Sequence, residues 1–130
     1  VAVFHGPHAY VSHTWYETAN VVPTWNYISV HVTGKISITN AEGLASIINH
    51  MLHIHESGFA ALAKNTDASL LESLMNQIVG FQLEIEKIEG KWKLSQNKSI
   101  ETQQKIATQL SNSPDANARN VGAIMKENIK

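Results

Sequence analysis

The sequence contains no cysteine, which excludes disulfide staples, thiolate metal sites and cysteine nucleophiles together. That absence suits a reducing compartment, and the cytoplasm is the expected location. Arginine occurs once, at Arg119, and the formal net charge is −1 over 130 residues. A surface for tight, non-specific nucleic-acid binding needs a basic excess, which this chain lacks. No apolar run approaches the length of a membrane span, and no basic–apolar–cleavage pattern opens the chain. Internal repeats and low-complexity tracts are also missing. What remains is 43% hydrophobic and 16% charged, the balance of a globular domain able to bury a core.

The chain starts inside an apolar run, "VAVF", with no initiator methionine and no lead-in loop. Terminal residues usually fray, so residues preceding Val1 are expected to be missing. "VAVF" reads as a strand stopped by Gly6-Pro7. "HAYVS" reads as a second extended piece, with a turn or short helix around Thr14–Tyr16.

A longer strand follows at 24–39. Its even positions carry Ile28, Val30, Val32, Ile36 and Ile38, with Asn26 and Gly34 in the same row. Its odd positions carry Trp25, Tyr27, Ser29, His31 and Lys35. A period of two assigns the rows to opposite faces. The aliphatic row is expected in a core, and the aromatic row against a ligand or partner.

Thr39 and Glu42 have capping-box spacing, opening a helix with an apolar stripe at Leu44, Ile47, Ile48, Met51 and Leu52. Gly58 is the expected stop. Asp67 caps a shorter helix carrying Leu70, Leu71, Leu74 and Met75. "VGFQLEIEKIEG" returns to strand. Two helices close the chain, one marked by Ile100, Ala107 and Leu110. The other opens on Ser113-Pro114, a cap followed by proline, and is marked by Val121, Ile124 and Met125. Strands first, then strands and helices mixed, give an α+β fold with a mainly antiparallel sheet.

Three stretches carry chemistry. "HGPHAYVSHTWY" holds His5, His8 and His13, but a metal centre needs three or four convergent ligands, and no HExxH-type motif accompanies them. His50 and His53, at helical spacing near a C-terminus, suit the helix dipole instead. Ser12 and His13 are neighbours that point to opposite faces of a strand, and there is no GxSxG elbow. "VPTWNYISVHVTG" supplies the aromatic strand face. "GKWKLSQNK" sets Lys91 and Lys93 two apart, followed by hydroxyl, amide and ammonium donors. That is chemistry for holding a phosphate or an anionic ring edge, although a polar turn before a helix would look similar.

Together these stretches resemble, in order and spacing, the PaiB family of FMN-binding negative transcriptional regulators, from Val1 to about the helix after Lys98. The resemblance implies a split β-barrel, similar to pyridoxamine-phosphate oxidases and flavin reductases. It also implies a homodimer with FMN in the interface, and an N-terminal strand-rich segment that this chain lacks. Residues 1–98 would form a partial split-barrel domain with two inserted helices, and residues 99–130 helices packed on or extending from it. By position, Trp25, Asn26 and Tyr27 would lie near the flavin or the subunit interface. Lys93, Ser95, Gln96, Asn97 and Lys98 would surround the cofactor, and His8 and Tyr10 would line the same cleft; no metal is implied. Two positions depart from the family pattern: His13 stands where proline is common, and Lys98 where arginine often follows. Lysine keeps the charge but loses the bidentate fork.

The implied function is repression of protease production and sporulation genes. No helix-turn-helix stands out, so regulation is expected to act through a partner or a redox signal rather than direct DNA contact. The rival reading is a flavin-dependent oxidoreductase on the same fold, ranked lower because no clear substrate-specific acid or base is visible. A haem-binding relative is a third.

Overall fold

The computed structural model describes residues 1–17, 20–56 and 67–129. It is α+β, with a three-stranded antiparallel sheet in the order β1-β2-β3. The strands are β1 (Ala2–Val11), β2 (Thr24–Ile38) and β3 (Phe81–Lys93). A 3₁₀ turn spans His13–Trp15, and four α-helices occur among the described residues: α1 (Ala41–His55), α2 (Ala68–Met75), α3 (Ile100–Ser111) and α4 (Ala116–Asn128). None of these helices is long and apolar enough to cross a membrane. The chain divides into two compact units, residues 1–33 with 87–130, and residues 34–86.

In the first unit β1 does not stop at Gly6-Pro7. It continues as one strand to Val11, absorbing the pair through a register shift between His5 and His8. Proline cannot donate to a ladder, and a β-bulge is where a strand tolerates it. His5 pairs with Ser29 on one side of the shift, and His8 with Tyr27 on the other. The shift turns Ala9 and Val11 inward, where they join Leu94, Ile106, Ala107, Leu110, Ala118, Val121 and Met125 in one core. Helices α3 and α4 meet closely at Gly122. A Cβ there would stand 2.7 Å from Ser111 Oγ and 2.9 Å from the Ala107 carbonyl, so no larger residue fits without parting the helices.

Helix α3 starts where the sequence places it. Ser99 is the N-cap, its Oγ accepting from the Thr102 N–H at 3.2 Å. Glu101, in the first turn, is held below its ordinary value by its backbone N–H and then by the Ser99 hydroxyl. A depressed carboxyl contributes stability above its unfolded value, near 4.5, and that contribution is lost as pH falls through the lower folded value. Ser99→Ala should therefore cost about 1 kcal/mol at neutral pH and shrink the acid-side fall in stability. Urea titrations at pH 7 and pH 3 would measure both.

The second cap differs from expectation. Asp115, not Ser113, caps α4, its side chain accepting from the Asn117 N–H at 3.0 Å, and Pro114 precedes the cap. Ser113 Oγ instead accepts from the Asp115 N–H at 3.2 Å. Aspartate is at least as good a cap as serine, and its position lets the helix begin after the proline.

In the second unit Asn40, not Thr39, caps α1, accepting from the Gly43 N–H at 2.9 Å. The Thr39 N–H donates to the Gly80 carbonyl at 2.9 Å, which holds Thr39 in extended pairing. Helix α1 ends at His55 with Glu56 as C-cap, and Gly58 lies outside the described residues. Asp67 caps α2 as its sequence indicates, accepting from Ser69 N–H at 2.9 Å. Gly34 allows a close backbone approach, since a Cβ would fall 2.0 Å from the Glu84 carbonyl oxygen. Burial is thin: Leu44 is the buried member of the α1 stripe. Ile36 and Ile38, expected in a core, are 63% and 69% exposed. Within their unit no described residue covers them. The same row is buried in the first unit, at Asn26 and Val32.

Candidate functional site

The site grows from the end of β3. Leu94 enters the core and is 3% exposed. Ser95 follows with φ +62°, a left-handed conformation that a non-glycine residue adopts at a cost. Hydrogen bonds hold it there. Ser95 Oγ lies 3.0 Å from Asn26 Nδ2 and 3.1 Å from Asn26 Oδ1, so the two side chains satisfy each other in the interior. Asn26 Nδ2 also reaches Met125 Sδ at 3.4 Å. The turn is closed by the Gln96 amide, whose Oε1 accepts from Leu94 N–H at 2.8 Å and whose Nε2 donates to the Trp92 carbonyl at 2.7 Å. The Lys98 N–H then donates to the Ser95 carbonyl at 3.0 Å.

This turn presents lysines on one side of a cleft of about 630 Å³. Lys91, Lys93 and Lys98 line it together with Trp92, Tyr16 and Asn97, and no carboxylate does so among the described residues. Lys93 Nζ donates to Thr24 Oγ1 at 2.8 Å and stands 5.9 Å from the Tyr27 ring centroid. Lys98 Nζ stands 5.2 Å from the Tyr16 ring centroid. Each cation–π contact restrains the ammonium without neutralising it. The cleft is therefore an electropositive hollow with aromatic walls.

The structure divides the residues that the sequence singled out. Asn26, Lys93, Ser95, Gln96, Asn97 and Lys98 line this cleft. Within that set Asn26, Ser95 and Gln96 use their polar atoms on one another and on the backbone, so they shape the turn. His8, Tyr10 and Trp25 line a second cleft, of about 390 Å³. Tyr10 faces Trp25 directly across the β1–β2 ladder, and His8 is its diagonal neighbour. The ring centroids lie 6.2 Å (Tyr10–Trp25) and 5.5 Å (His8–Trp25) apart. Tyr27 takes part through Lys93 alone among the described contacts.

Sequence reasoning missed Tyr16, Thr24 and the Val21–Val22 stretch as cleft walls. Only pairing β1, β2 and β3 in space brings them beside Lys98, so no local pattern signals them. Among the described residues no three histidine or acidic side chains gather closely enough to hold a metal ion.

The family model described as a putative FMN-binding domain matches residues 1–87. The protease synthase and sporulation protein PAI 2 of Bacillus subtilis (strain 168) is 37% identical over 132 residues, covering 100% of this chain and 63% of that protein. An uncharacterized protein of Emericella nidulans is 31% identical over 114 residues, 74% of this chain and 45% of its own length. One of Aspergillus fumigatus is 31% identical over 117 residues, 72% of this chain and 45% of its own. The chain thus spans less than two thirds of the length of each of these relatives. The lysine-bearing turn lies beyond residue 87, outside the family match, but within the similarity to the Bacillus protein.

Proposed function

The chain belongs to the family of putative FMN-binding domains, and from that premise we propose that it binds FMN at the lysine-lined cleft and acts as a negative regulator in protease synthesis and sporulation, the processes its Bacillus relative is named for. The observation that supports this most is the convergence of Lys91, Lys93 and Lys98 on a hollow walled by Trp92 and Tyr16, with no carboxylate among its described lining. A flavin mononucleotide is a flat aromatic ring joined to a phosphate, and the donor set fits both parts. Ammonium groups suit the phosphate as point charges, aromatic rings suit the isoalloxazine, and a volume of about 630 Å³ lies in the range of small-molecule sites.

In this reading Lys93 and Lys98 hold the phosphate, and Asn97 and the Trp92 side chain approach the rest of the cofactor. Asn26, Ser95 and Gln96 position the turn. Bound FMN supplies electron-transfer chemistry; the protein supplies placement and charge. A homodimer belongs to the same proposal. Ile36, Ile38, Phe81 and Ile85 are each more than half exposed, a degree of apolar exposure that a second subunit would relieve. The near-neutral charge favours regulation through a partner or a redox signal over a DNA-binding surface. The flavin oxidoreductase alternative gains no substrate-specific acid or base from the site.

The test is a titration of FMN and, separately, of riboflavin, following flavin fluorescence. It uses this chain and a chain with the full length of the Bacillus relative. Lys93→Met should weaken FMN about tenfold, the scale of one charge-assisted contact, and leave riboflavin unchanged. Failure of both chains to bind FMN, or equal losses for the two ligands, would sink the assignment.

A further inference from the structure

The second cleft differs from the first in charge as well as in place. His8, Tyr10, Trp15, Trp25, Pro114 and Asp115 are among its lining, which contains no lysine or arginine. The chain's single guanidinium, Arg119, is directed to the Ser113 and Pro114 carbonyls, at 3.0 and 2.6 Å, and is not part of the lining. One cleft therefore gathers lysines, while the other has aromatic rings and one carboxylate, Asp115, among its lining.

Ring faces carry negative quadrupole density, and several rings with one acid form the usual environment for an alkylated ammonium. The rings here are held by backbone pairing. Tyr10 opposes Trp25 in the ladder, and the register shift between His5 and His8 sets His8 and Tyr10 on the Trp25 side. Tyr10 and Trp25 remain 48% and 51% exposed, so neither side chain is closed off from a ligand. Asp115 is fixed by its capping bond, in which Oδ1 accepts from Asn117 N–H at 3.0 Å. The cleft volume of about 390 Å³ admits a small molecule but not a dinucleotide.

We infer that this cleft is a second binding site, for a small organic cation bearing an alkylated or quaternary ammonium group. The ammonium lies against the Trp25 and Tyr10 rings with Asp115 supplying the counter-charge. Nothing in this inference depends on the flavin assignment.

Choline and its uncharged isostere 3,3-dimethylbutan-1-ol are suitable probes. In a Trp92→Phe background the two remaining indoles, Trp15 and Trp25, both line this cleft, so intrinsic fluorescence reports it alone. Choline should give saturable quenching at millimolar concentration or below, and the isostere at least fivefold weaker binding. Asp115→Asn keeps a good helix cap and removes the charge. It should weaken choline about fivefold and leave the isostere unchanged. Trp25→Leu, at a half-exposed position, should abolish the discrimination between the probes, whereas Lys93→Met should not affect it. Absence of saturation by about 10 mM choline would overturn the site. So would equal binding of the two probes. A fluorescence shift that depends on protein concentration and vanishes in Trp25→Leu would also overturn it, showing that a second copy of the chain covers these rings.

Discussion

Asn26→Asp should remove about 3 kcal/mol of stability at pH 7 and almost none near pH 3. The two side chains are nearly the same shape, so packing is preserved and the effect is electrostatic. Asn26 is fully buried, and its Nδ2 donates to Ser95 Oγ and Met125 Sδ. An ionised carboxylate has no proton to give at that position, and burial disfavours its charge. The folded state therefore holds the new carboxyl protonated, above the ordinary aspartate value near 3.9. Below that value both states are protonated and the variant resembles the parent. As pH rises through it, the unfolded chain ionises first and stability falls by about 1.4 kcal/mol per pH unit until the folded carboxyl ionises too. Lys93 and Lys98 line the adjoining cleft and limit the rise. Chemical denaturation between pH 3 and pH 8 would trace this slope, and a variant with the parent's pH profile would show that Asn26 is not sealed from water.

Ile106→Ala should cost about 2–5 kcal/mol, the range for a large aliphatic side chain removed from a closed interior. Ile106 has no exposed surface and lies in the core with Val11, Leu110, Val121 and Met125. Deleting it removes transfer energy and leaves a void, because Gly122 already brings α3 and α4 to closest approach and the helices cannot move inward. Ile106→Val should cost only about 0.5–1.5 kcal/mol. Urea unfolding of the pair, at unchanged slope, would separate cavity formation from general disruption. A cost below about 1 kcal/mol for the alanine variant would contradict the packing described.

Ile106 also marks a boundary of what periodicity reveals. The sequence stripe for α3 was centred on Ile100, Ala107 and Leu110, yet Ile100 is 47% exposed, while Thr102 and Ile106 are buried. The inner face is set by where β1 and α4 lie, which the helix's own residues do not encode. The strand at 24–38 is legible because its fifteen residues alternate in one phase. Its energetics are less so, since one aliphatic row is buried at Val32 and exposed at Ile36 and Ile38. The cap at Asp67 is readable from local chemistry, whereas Ser99 is identified as a cap only by its bond to the Thr102 N–H. Asn40 and Asp115 were not readable, because a competing serine or threonine stood one or two residues earlier and the choice depended on pairing with Gly80 or on a proline. The lysine-bearing turn was visible as composition. That Ser95 would be left-handed and locked to Asn26, from another strand, was not.

The core of the first unit joins the two ends of the described chain: Ala9 and Val11 on β1 pack with Val121 and Met125 on α4. During synthesis β1 emerges before the helix that covers it. Until residues 116–128 have emerged, the inward face of β1 has no lasting cover, so this unit completes its fold only after the residues between β1 and α4 have been synthesised. Loop closure over such a span slows folding more than it weakens the product. A chaperone that shields apolar strands would find its main work on this protein during that interval.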